Sequence, residues 1–159
     1  MIDELDRKLI KELQKDGRQT YVELGRTLGV VEGTMRKRVK NLIDKKMLKI
    51  VAVPNLSELG YRFMNVMALQ VRMADLRMVA DALVEKPNVC HLAFVTGRYD
   101  LIAIIVTRTP EELSRFIEHE ISAIPSILRT ETFVELDVIK GGWLGMDTTQ
   151  LIINLEIPH

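Results

Sequence analysis

The chain has 159 residues, 47% hydrophobic and 28% charged, a composition typical of a folded protein rather than a disordered one. Its longest apolar run, Leu101 to Val106, is far too short to cross a membrane, and the N-terminal segment lacks the pattern of a secretory signal, so we expect a cytoplasmic protein. One cysteine, Cys90, permits no internal disulfide, and three scattered histidines form no ligand cluster, so we expect no metal or cofactor.

The formal net charge of zero hides an asymmetry along the chain. Residues 1–60 contain 13 lysines and arginines against 9 acidic residues, and the remainder is acidic by the same margin. Residues 33–50 are the most basic stretch, with seven basic side chains against Asp44 alone. The charge pattern therefore predicts two modules of opposite sign.

Three short helices are predicted in the first module, residues 1–50. The first begins after Asp3 and ends at Asp16-Gly17, and the second begins at a capping box of Thr20 and Glu23 and ends at Gly29. The third runs from about Glu32 to Lys45. Apolar residues at helical spacing are expected to be buried: Leu5, Leu9, Ile10, Leu13, Val22, Leu24, Leu28, Met35, Val39, Leu42 and Ile43.

The solvent-facing side of the third helix carries small, polar and basic residues, which are Gly33, Thr34, Arg36, Lys37, Lys40 and Asn41. Three short helices with a glycine turn before a basic third helix are typical of a helix-turn-helix domain, whose last helix enters the major groove. Arginine, lysine and threonine can bind base edges and phosphates there, so we expect double-stranded DNA as a partner. A solvated basic helix face is the alternative interpretation.

The second module, residues 61–140, shows alternating apolar strands separated by two helices. Strands are predicted over residues 63–72, 89–95, 101–107 and 129–139. One helix begins after Asp75, and another begins at Thr109, with Pro110 in its first turn and Glu112 at the third position. The order βαββαβ predicts an α+β, ferredoxin-like domain.

Both faces of the predicted sheet are apolar. In the third strand Leu101, Ala103 and Ile105 alternate with Ile102, Ile104 and Val106; in the second, Val89, Ala93 and Val95 alternate with Cys90, Leu92 and Phe94. Because two helices cover only one face, the other face predicts a homodimer formed sheet to sheet, with coverage by the C-terminal tail as the alternative. A dimer would place two DNA-binding helices about 34 Å apart.

Short motifs along the chain identify a resemblance. They are Leu5-Asp6-Arg7-Lys8-Leu9-Ile10, Leu28-Gly29, Arg36 to Leu42, Gly60-Tyr61 and Thr96 to Leu101. With these motifs in this order, residues 3–140 resemble the Lrp/AsnC family of bacterial and archaeal transcription factors. The resemblance implies a winged-type helix-turn-helix domain, a short linking strand through Ile50 to Pro54, and a ligand-sensing domain that forms dimers and larger even-numbered assemblies. We assign residues 51–60 to the linker strand and turn between the two domains.

The resemblance also implies that an amino acid or related small metabolite binds between dimers. Mapped onto this chain, the effector residues are Gly97, Tyr99 and Asp100, with Thr130 and Thr132 from a neighbouring subunit. A glycine backbone N–H could bind a carboxylate, an aspartate could receive an ammonium group, and hydroxyls two residues apart lie on one strand face. Alternatively, Gly97 and Asp100 only shape a hairpin.

Two residues depart from the family pattern. Val31 stands where a serine or threonine usually caps the third helix, and Lys46 stands where a glycine usually follows it. The tail, residues 141–159, lies beyond the resemblance. Alternation of Leu151, Ile153, Leu155 and Ile157 favours an additional strand, which could pair within the subunit or across the assembly.

Two other classes of function compete with gene regulation. Haem-pathway decarboxylases share the two-module layout, but here only Cys90, His91 and Arg98 lie near the sheet pocket, and they assemble no set of nucleophile, base and orienting group. We therefore expect the protein not to be an enzyme. A ligand-binding module with a vestigial DNA-binding domain is the third possibility.

Overall fold

The structure is a computed structural model that describes residues 2–137 and 139. The chain divides into two compact units, one ending at Ala52 and the other beginning at Val53. The additional strand expected in residues 151–157 lies outside the described residues.

The first unit contains three helices, and each begins where the sequence predicts. They are α1 (Glu4–Lys15), α2 (Tyr21–Leu28) and α3 (Glu32–Asp44). The capping box at Thr20 is confirmed, and Gly29 ends α2 in the left-handed conformation, with φ +68°. Val31 precedes α3 and makes no side-chain cap hydrogen bond, so this helix begins without the stabilisation that its neighbours have.

Six apolar side chains from all three helices form the core of this unit: Leu9, Leu13, Leu24, Met35, Val39 and Leu42. Two predicted core residues are wrong, because Val22 is 50% exposed and Ile43 is 43% exposed. Tyr21 packs against the core from the start of α2 in place of Val22. Ile43 lies about 80° around the helix from Met35, beyond the narrow stripe that two neighbouring helices can cover.

The turn between α2 and α3 closes tightly on Gly25. The Val30 N–H donates to the Gly25 carbonyl at 2.8 Å, and a Cβ atom added to Gly25 would lie 2.4 Å from the Val30 carbonyl oxygen. Sequence reasoning assigned this turn to Gly29 alone. Gly25 is thus a second position at which the turn requires glycine.

Lys46 takes the turn after α3 with a positive φ of 55°, as its place in the family pattern predicted. The described residues contain no strand between α3 and Phe63, so the linking strand expected from Ile50 to Pro54 does not form within a single chain. A strand needs a neighbour that bonds its backbone groups, and no described strand pairs with this segment.

The second unit has the predicted ferredoxin-like topology. Its strands are β1 (Phe63–Val71), β2 (Val89–Phe94), β3 (Leu101–Thr107) and β4 (Ile127–Val134), joined antiparallel in the order β2-β3-β1-β4. A 3₁₀ turn (Met73–Asp75) leads into α4 (Leu76–Val84), and a π-helical turn (Ile117–Ile121) continues α5 (Pro110–Phe116). The last strand begins two residues earlier than predicted and ends at Val134.

The caps of these two helices differ in part from the prediction. Thr109 accepts from the Glu112 N–H and Pro110 begins α5, as expected, but the Glu112 carboxylate accepts from the Arg108 N–H at 2.6 Å. Asp75 occupies the cap position of α4 without capping it. Its carboxylate instead accepts from the Ser126 hydroxyl at 2.7 Å, a partner 51 positions away that local spacing does not reveal.

One face of the sheet packs against α4 and α5. The predicted alternation of β3 is confirmed: Leu101, Ala103 and Ile105 point to this helix-covered face, beside Met67 and Leu69 of β1. The prediction for β2 is wrong, because a bulge between Val89 and His91 inserts an extra residue and shifts the alternation. Val89, Leu92 and Phe94 therefore share the register positions of the helix-covered face.

No helix among the described residues packs on the opposite face of the sheet, and we call it the free face. Its central positions are apolar: Met64, Val66, Ala68, Ile102, Ile104 and Val106. Leu56 and Tyr61, from the segment before β1, pack on Val106 and cover one end of this face. On the edge strand β4, Phe133 occupies the same face and is 53% exposed. Among the central residues, Ala68, Ile104 and Val106 are buried, whereas Met64, Val66 and Ile102 are half-buried, so this face is apolar and partly exposed.

The close approach at Gly25 yields a stability prediction. Gly25→Ala is expected to destabilise the first unit by about 1–3 kcal/mol, because the added methyl meets a backbone carbonyl in a tight turn. Gly33→Ala is the matched control, since its Cβ would meet no atom within 4 Å and alanine favours a helix by up to about 1 kcal/mol. Chemical denaturation of the full chain, followed by circular dichroism, compares them; equal stability of wild type and Gly25→Ala would contradict the prediction.

Candidate nucleic-acid interface and effector site

The six residues predicted to contact DNA all lie on the outward side of α3, away from Met35, Val39 and Leu42. Four of them line one open groove of about 500 Å³: Gly33, Thr34, Lys37 and Asn41. The groove also contains Asp3 and Asp6, from the start of α1. The fold therefore brings most of the predicted DNA-contacting residues onto one accessible surface.

The cations on this surface are not equivalent. Arg36 donates to Glu32 at 2.6 Å, which raises its pKa, and its guanidinium lies 5.2 Å from the centre of the Tyr21 ring. Within residues 2–137, neither Lys37 nor Lys40 pairs with an acidic side chain. These two lysines are thus the exposed cations of α3 that have no partner in the first unit.

Arg38 is a residue of this surface that sequence reasoning missed. Its Nη1 atom donates to Asp3 Oδ2 and to Asp6 Oδ1, each at 2.7 Å. The Asp6 N–H and then Arg38 hold the pKa of Asp3 below its usual value. The sequence did contain a signal for this contact: Arg38 lies three residues after Met35 and four before Leu42, which places it at the edge of the buried stripe of α3.

The predicted effector turn joins β2 to β3. Gly97 has a φ of +121°, and the Val95 N–H donates to the Asp100 carbonyl at 3.0 Å, which closes the turn. The Asp100 carboxylate accepts from the Val71 N–H at 2.8 Å. These contacts favour a hairpin-shaping role for both residues, and one carboxylate oxygen of Asp100 is already bonded.

Tyr99 links the same turn to the edge strand β4. Its hydroxyl donates to the carboxylate of Glu131, and this hydrogen bond is the main reason that the pKa of Tyr99 is raised. Glu131 was not predicted as a site residue. The only sequence signal was its position between Thr130 and Thr132, because its partner lies 32 residues away.

The two predicted threonines lie on the other side of the strand from Glu131. Thr130 and Thr132 pair with Leu69 and Met67, which face the helices, whereas Glu131 pairs with Ala68 on the free face. Thr130 lines a groove of about 300 Å³ beside the π-helical turn. A single chain therefore does not gather the five predicted effector residues into one cluster.

The groups considered for catalysis are poorly suited to it. Burial raises the pKa of the Cys90 thiol to about 12, and its Sγ donates to the Ile104 carbonyl at 3.1 Å. His91 is exposed on β2. No group of three or more His, Cys, Asp or Glu side chains among the described residues could hold a metal ion. No described helix is both long and apolar enough to span a bilayer.

Each of the two units matches the sequence model of a known domain family. The AsnC-type helix-turn-helix domain matches residues 2–43, and the Lrp/AsnC ligand binding domain matches residues 63–142. An HTH-type transcriptional regulator of Pyrococcus abyssi is 36% identical over 89% of this chain and 90% of the relative. The HTH-type transcriptional regulator FL11 of the same organism is 33% identical over 96% of this chain and 97% of its own length.

Solved structures share the fold. AsnC of Escherichia coli superimposes with a TM-score of 0.84 at 24% identity, over 89% of this chain and 97% of that one. A transcriptional regulator from Neisseria meningitidis, solved as an L-Met complex, gives a TM-score of 0.83 at 22% identity, over 89% and 94% of the two chains. At these identities the likeness concerns the fold.

Proposed function

The chain belongs to the Lrp/AsnC family of helix-turn-helix transcriptional regulators, and on that premise we propose that it binds operator DNA as a dimer or higher oligomer under the control of an amino acid or related small metabolite. The family consists of regulators rather than enzymes. The observation that carries the proposal is the outward face of α3, where Lys37 lines a polar groove and neither Lys37 nor Lys40 pairs with an acidic side chain of its unit.

The groups on α3 suit a DNA duplex. Lysine ammonium groups neutralise phosphates, while Thr34 and Asn41 supply donors and acceptors that can reach base edges in the major groove. Gly33 adds no side chain near the start of the helix, which allows close approach to the sugar-phosphate backbone. The missing side-chain cap at Val31 leaves the first N–H groups of α3 to other acceptors, and DNA phosphates are suitable ones.

Replacing Lys37 tests direct contact with DNA. Lys37→Gln should weaken binding to duplex DNA and lower the slope of log affinity against log salt concentration by about one, as expected for one lost phosphate contact. The matched control is Arg115→Gln, which removes one exposed positive charge from α5 in the second unit and should leave the slope unchanged. Fluorescence anisotropy with a duplex selected by the wild-type chain from a random library measures both.

Two outcomes would oppose the DNA proposal. If the wild-type chain selects no sequence, operator recognition fails. If wild type binds but Lys37→Gln and Arg115→Gln behave alike, the face of α3 does not carry the contact, and the vestigial DNA-binding domain becomes the better interpretation.

The free face of the sheet supports a dimer. Val66, Ala68 and Ile102 form its centre, and Phe133 extends it onto the edge strand. Val66 and Ile102 are half-buried and Phe133 is 53% exposed, and a second copy would complete the burial of these apolar side chains by two-fold symmetry. Two copies of α3 related by that axis would bind half-sites about 34 Å apart, which predicts a palindromic operator.

A charge on the free face should disrupt the dimer. Phe133→Glu is expected to shift the molar mass measured by light scattering from two chains towards one, because a buried, unpaired carboxylate opposes association. Met78→Glu is the control, since Met78 on α4 is 54% exposed, against 53% for Phe133, and lies in the helix layer. A wild-type protein with the mass of a single chain would contradict the dimer and favour coverage of the face by the tail.

An amino-acid effector is supported by the family and by the chemistry near the hairpin. The Neisseria meningitidis neighbour was solved with L-Met, and this chain places Glu131, Arg98 and Arg129 close enough to Tyr99 to influence its hydroxyl group. Carboxylates bind ammonium groups and arginines bind carboxylates, so this set can recognise both charged ends of an amino acid. Thr130 and Thr132 would come from the neighbouring subunit, because within one chain they lie on the opposite side of β4 from Glu131.

A thermal-shift screen of the twenty amino acids identifies the effector. The effector should raise the unfolding midpoint in a concentration-dependent manner, because it binds the native state. Thr132→Val should reduce that shift, whereas Thr27→Val, an exposed threonine on α2, should not. If no amino acid shifts the wild-type midpoint, or if both variants respond like wild type, the proposed site is wrong.

A further inference from the structure

We propose that Arg38 is a positioning residue for DNA recognition: through Asp3 and Asp6 it fixes the rotation of α3 about its own axis, and with it the direction of the DNA-facing side chains. The proposal rests on the proposed operator binding and adds a residue that does not itself contact DNA. Its basis is a charged network that joins the first turn of α1 to the middle of α3.

The network has a definite geometry. One guanidinium nitrogen of Arg38 donates to Asp3 Oδ2 and to Asp6 Oδ1, both at 2.7 Å, and the side chain is 29% exposed. Charge-assisted hydrogen bonds of this length are stronger and more directional than bonds between neutral groups. Arg38 therefore has its donors directed towards α1 rather than towards solvent.

The two aspartates are themselves held in place. The Asp6 N–H donates to Asp3 Oδ1 at 2.8 Å, and the Asp3 N–H donates to Asp6 Oδ2 at 3.3 Å, which forms the capping box of α1. Each carboxylate thus gives one oxygen to the backbone and the other to Arg38. The guanidinium is therefore bonded to the capping box at the start of α1.

Apolar packing alone does not fix this rotation. The core side of α3 is Met35, Val39 and Leu42, and hydrophobic contact is non-directional. Rotation of a helix by a few degrees displaces the ends of long surface side chains while leaving the core buried. A charged contact at the border between the buried and exposed faces, where Arg38 lies, opposes such rotation.

The same network controls charge beside the DNA-binding groove. Asp3, Asp6 and Arg38 line the groove together with Thr34, Lys37 and Asn41. Two unpaired carboxylates there would repel phosphates, and Arg38 pairs with both. Loss of Arg38 should therefore harm binding in two ways, by releasing the helix and by exposing two negative charges.

A double-mutant cycle on the full chain tests the proposal. Arg38→Met keeps the aliphatic packing but removes the donors and the charge, and Arg38→Lys keeps a cation. The paired variant Asp3→Ser with Asp6→Ala removes both carboxylates, while serine preserves the cap of α1. We measure the affinity of each variant for a duplex selected by wild type and for an unrelated duplex of equal length, at a temperature below the unfolding midpoint of every variant. The slope of log affinity against log salt concentration for Lys37→Gln serves as the reference for a lost phosphate contact.

We expect Arg38→Met to lower the ratio of specific to non-specific affinity by about tenfold, which is the effect of losing one well-aligned contact to a base. The slope of log affinity against log salt concentration should not decrease. The aspartate variant should lose a similar factor although it removes two negative charges, and adding Arg38→Met to it should cost little more. Arg38→Lys should retain most of the selectivity.

Several outcomes would overturn the proposal. Equal losses from Arg38→Met in both backgrounds, or a salt slope reduced as in Lys37→Gln, would show that Arg38 contacts DNA directly. Wild-type selectivity of Arg38→Met would assign it a structural role only, and tighter binding by the aspartate variant would show simple repulsion. If Arg38→Met unfolds, the aspartate variant decides alone. Absence of selective binding by wild type would instead refute the proposed function.

Discussion

The first unit buries only a small apolar core, and its structure therefore depends on directional polar contacts as well. Six side chains hold three helices together, and burial of this kind brings helices together without setting their direction. Directional contacts must supply the rest: the capping boxes at Asp3 and Thr20, the approach of the Val30 backbone to Gly25, and the charged network around Arg38. A DNA-binding helix must present its side chains accurately, so these polar contacts matter for recognition as well as for folding.

The second unit depends on a sheet that is apolar on both faces. Helices α4 and α5 bury one face, and on the other face Leu56 and Tyr61 cover one end while Val66, Ile102 and Phe133 remain partly exposed. A second subunit is the simplest way to complete such a layer. The edge strand β4 then combines two roles in one alternation, because Phe133 and Glu131 face the free surface while Thr130 and Thr132 face the helix layer. Dimer formation and effector binding would thus be linked through a single strand.

Features encoded by near neighbours in the sequence were predictable. Helix starts at Thr20 and Thr109 follow from spacing within a few residues, and β3 follows from its alternation. The uncapped Val31 and the turn at Lys46 follow from comparison of this sequence with the family pattern. Contacts between distant residues were not: Arg38 with Asp3, Tyr99 with Glu131 and Asp75 with Ser126 join residues at least 32 positions apart. The bulge in β2 and the exposure of Ile43 depend on how neighbouring elements pack, which periodicity alone does not determine.

The burial of Cys90 has a practical consequence. With a pKa of about 12 and its sulfur against the Ile104 carbonyl, the thiol stays protonated at cellular pH and is a weak target for oxidants and alkylating reagents. Cys90 is partly buried and packs against Leu56 and Tyr61, so displacement of that covering segment would increase the exposure of the thiol. The rate at which Cys90 is labelled in the native protein therefore reports displacement of that segment from the sheet.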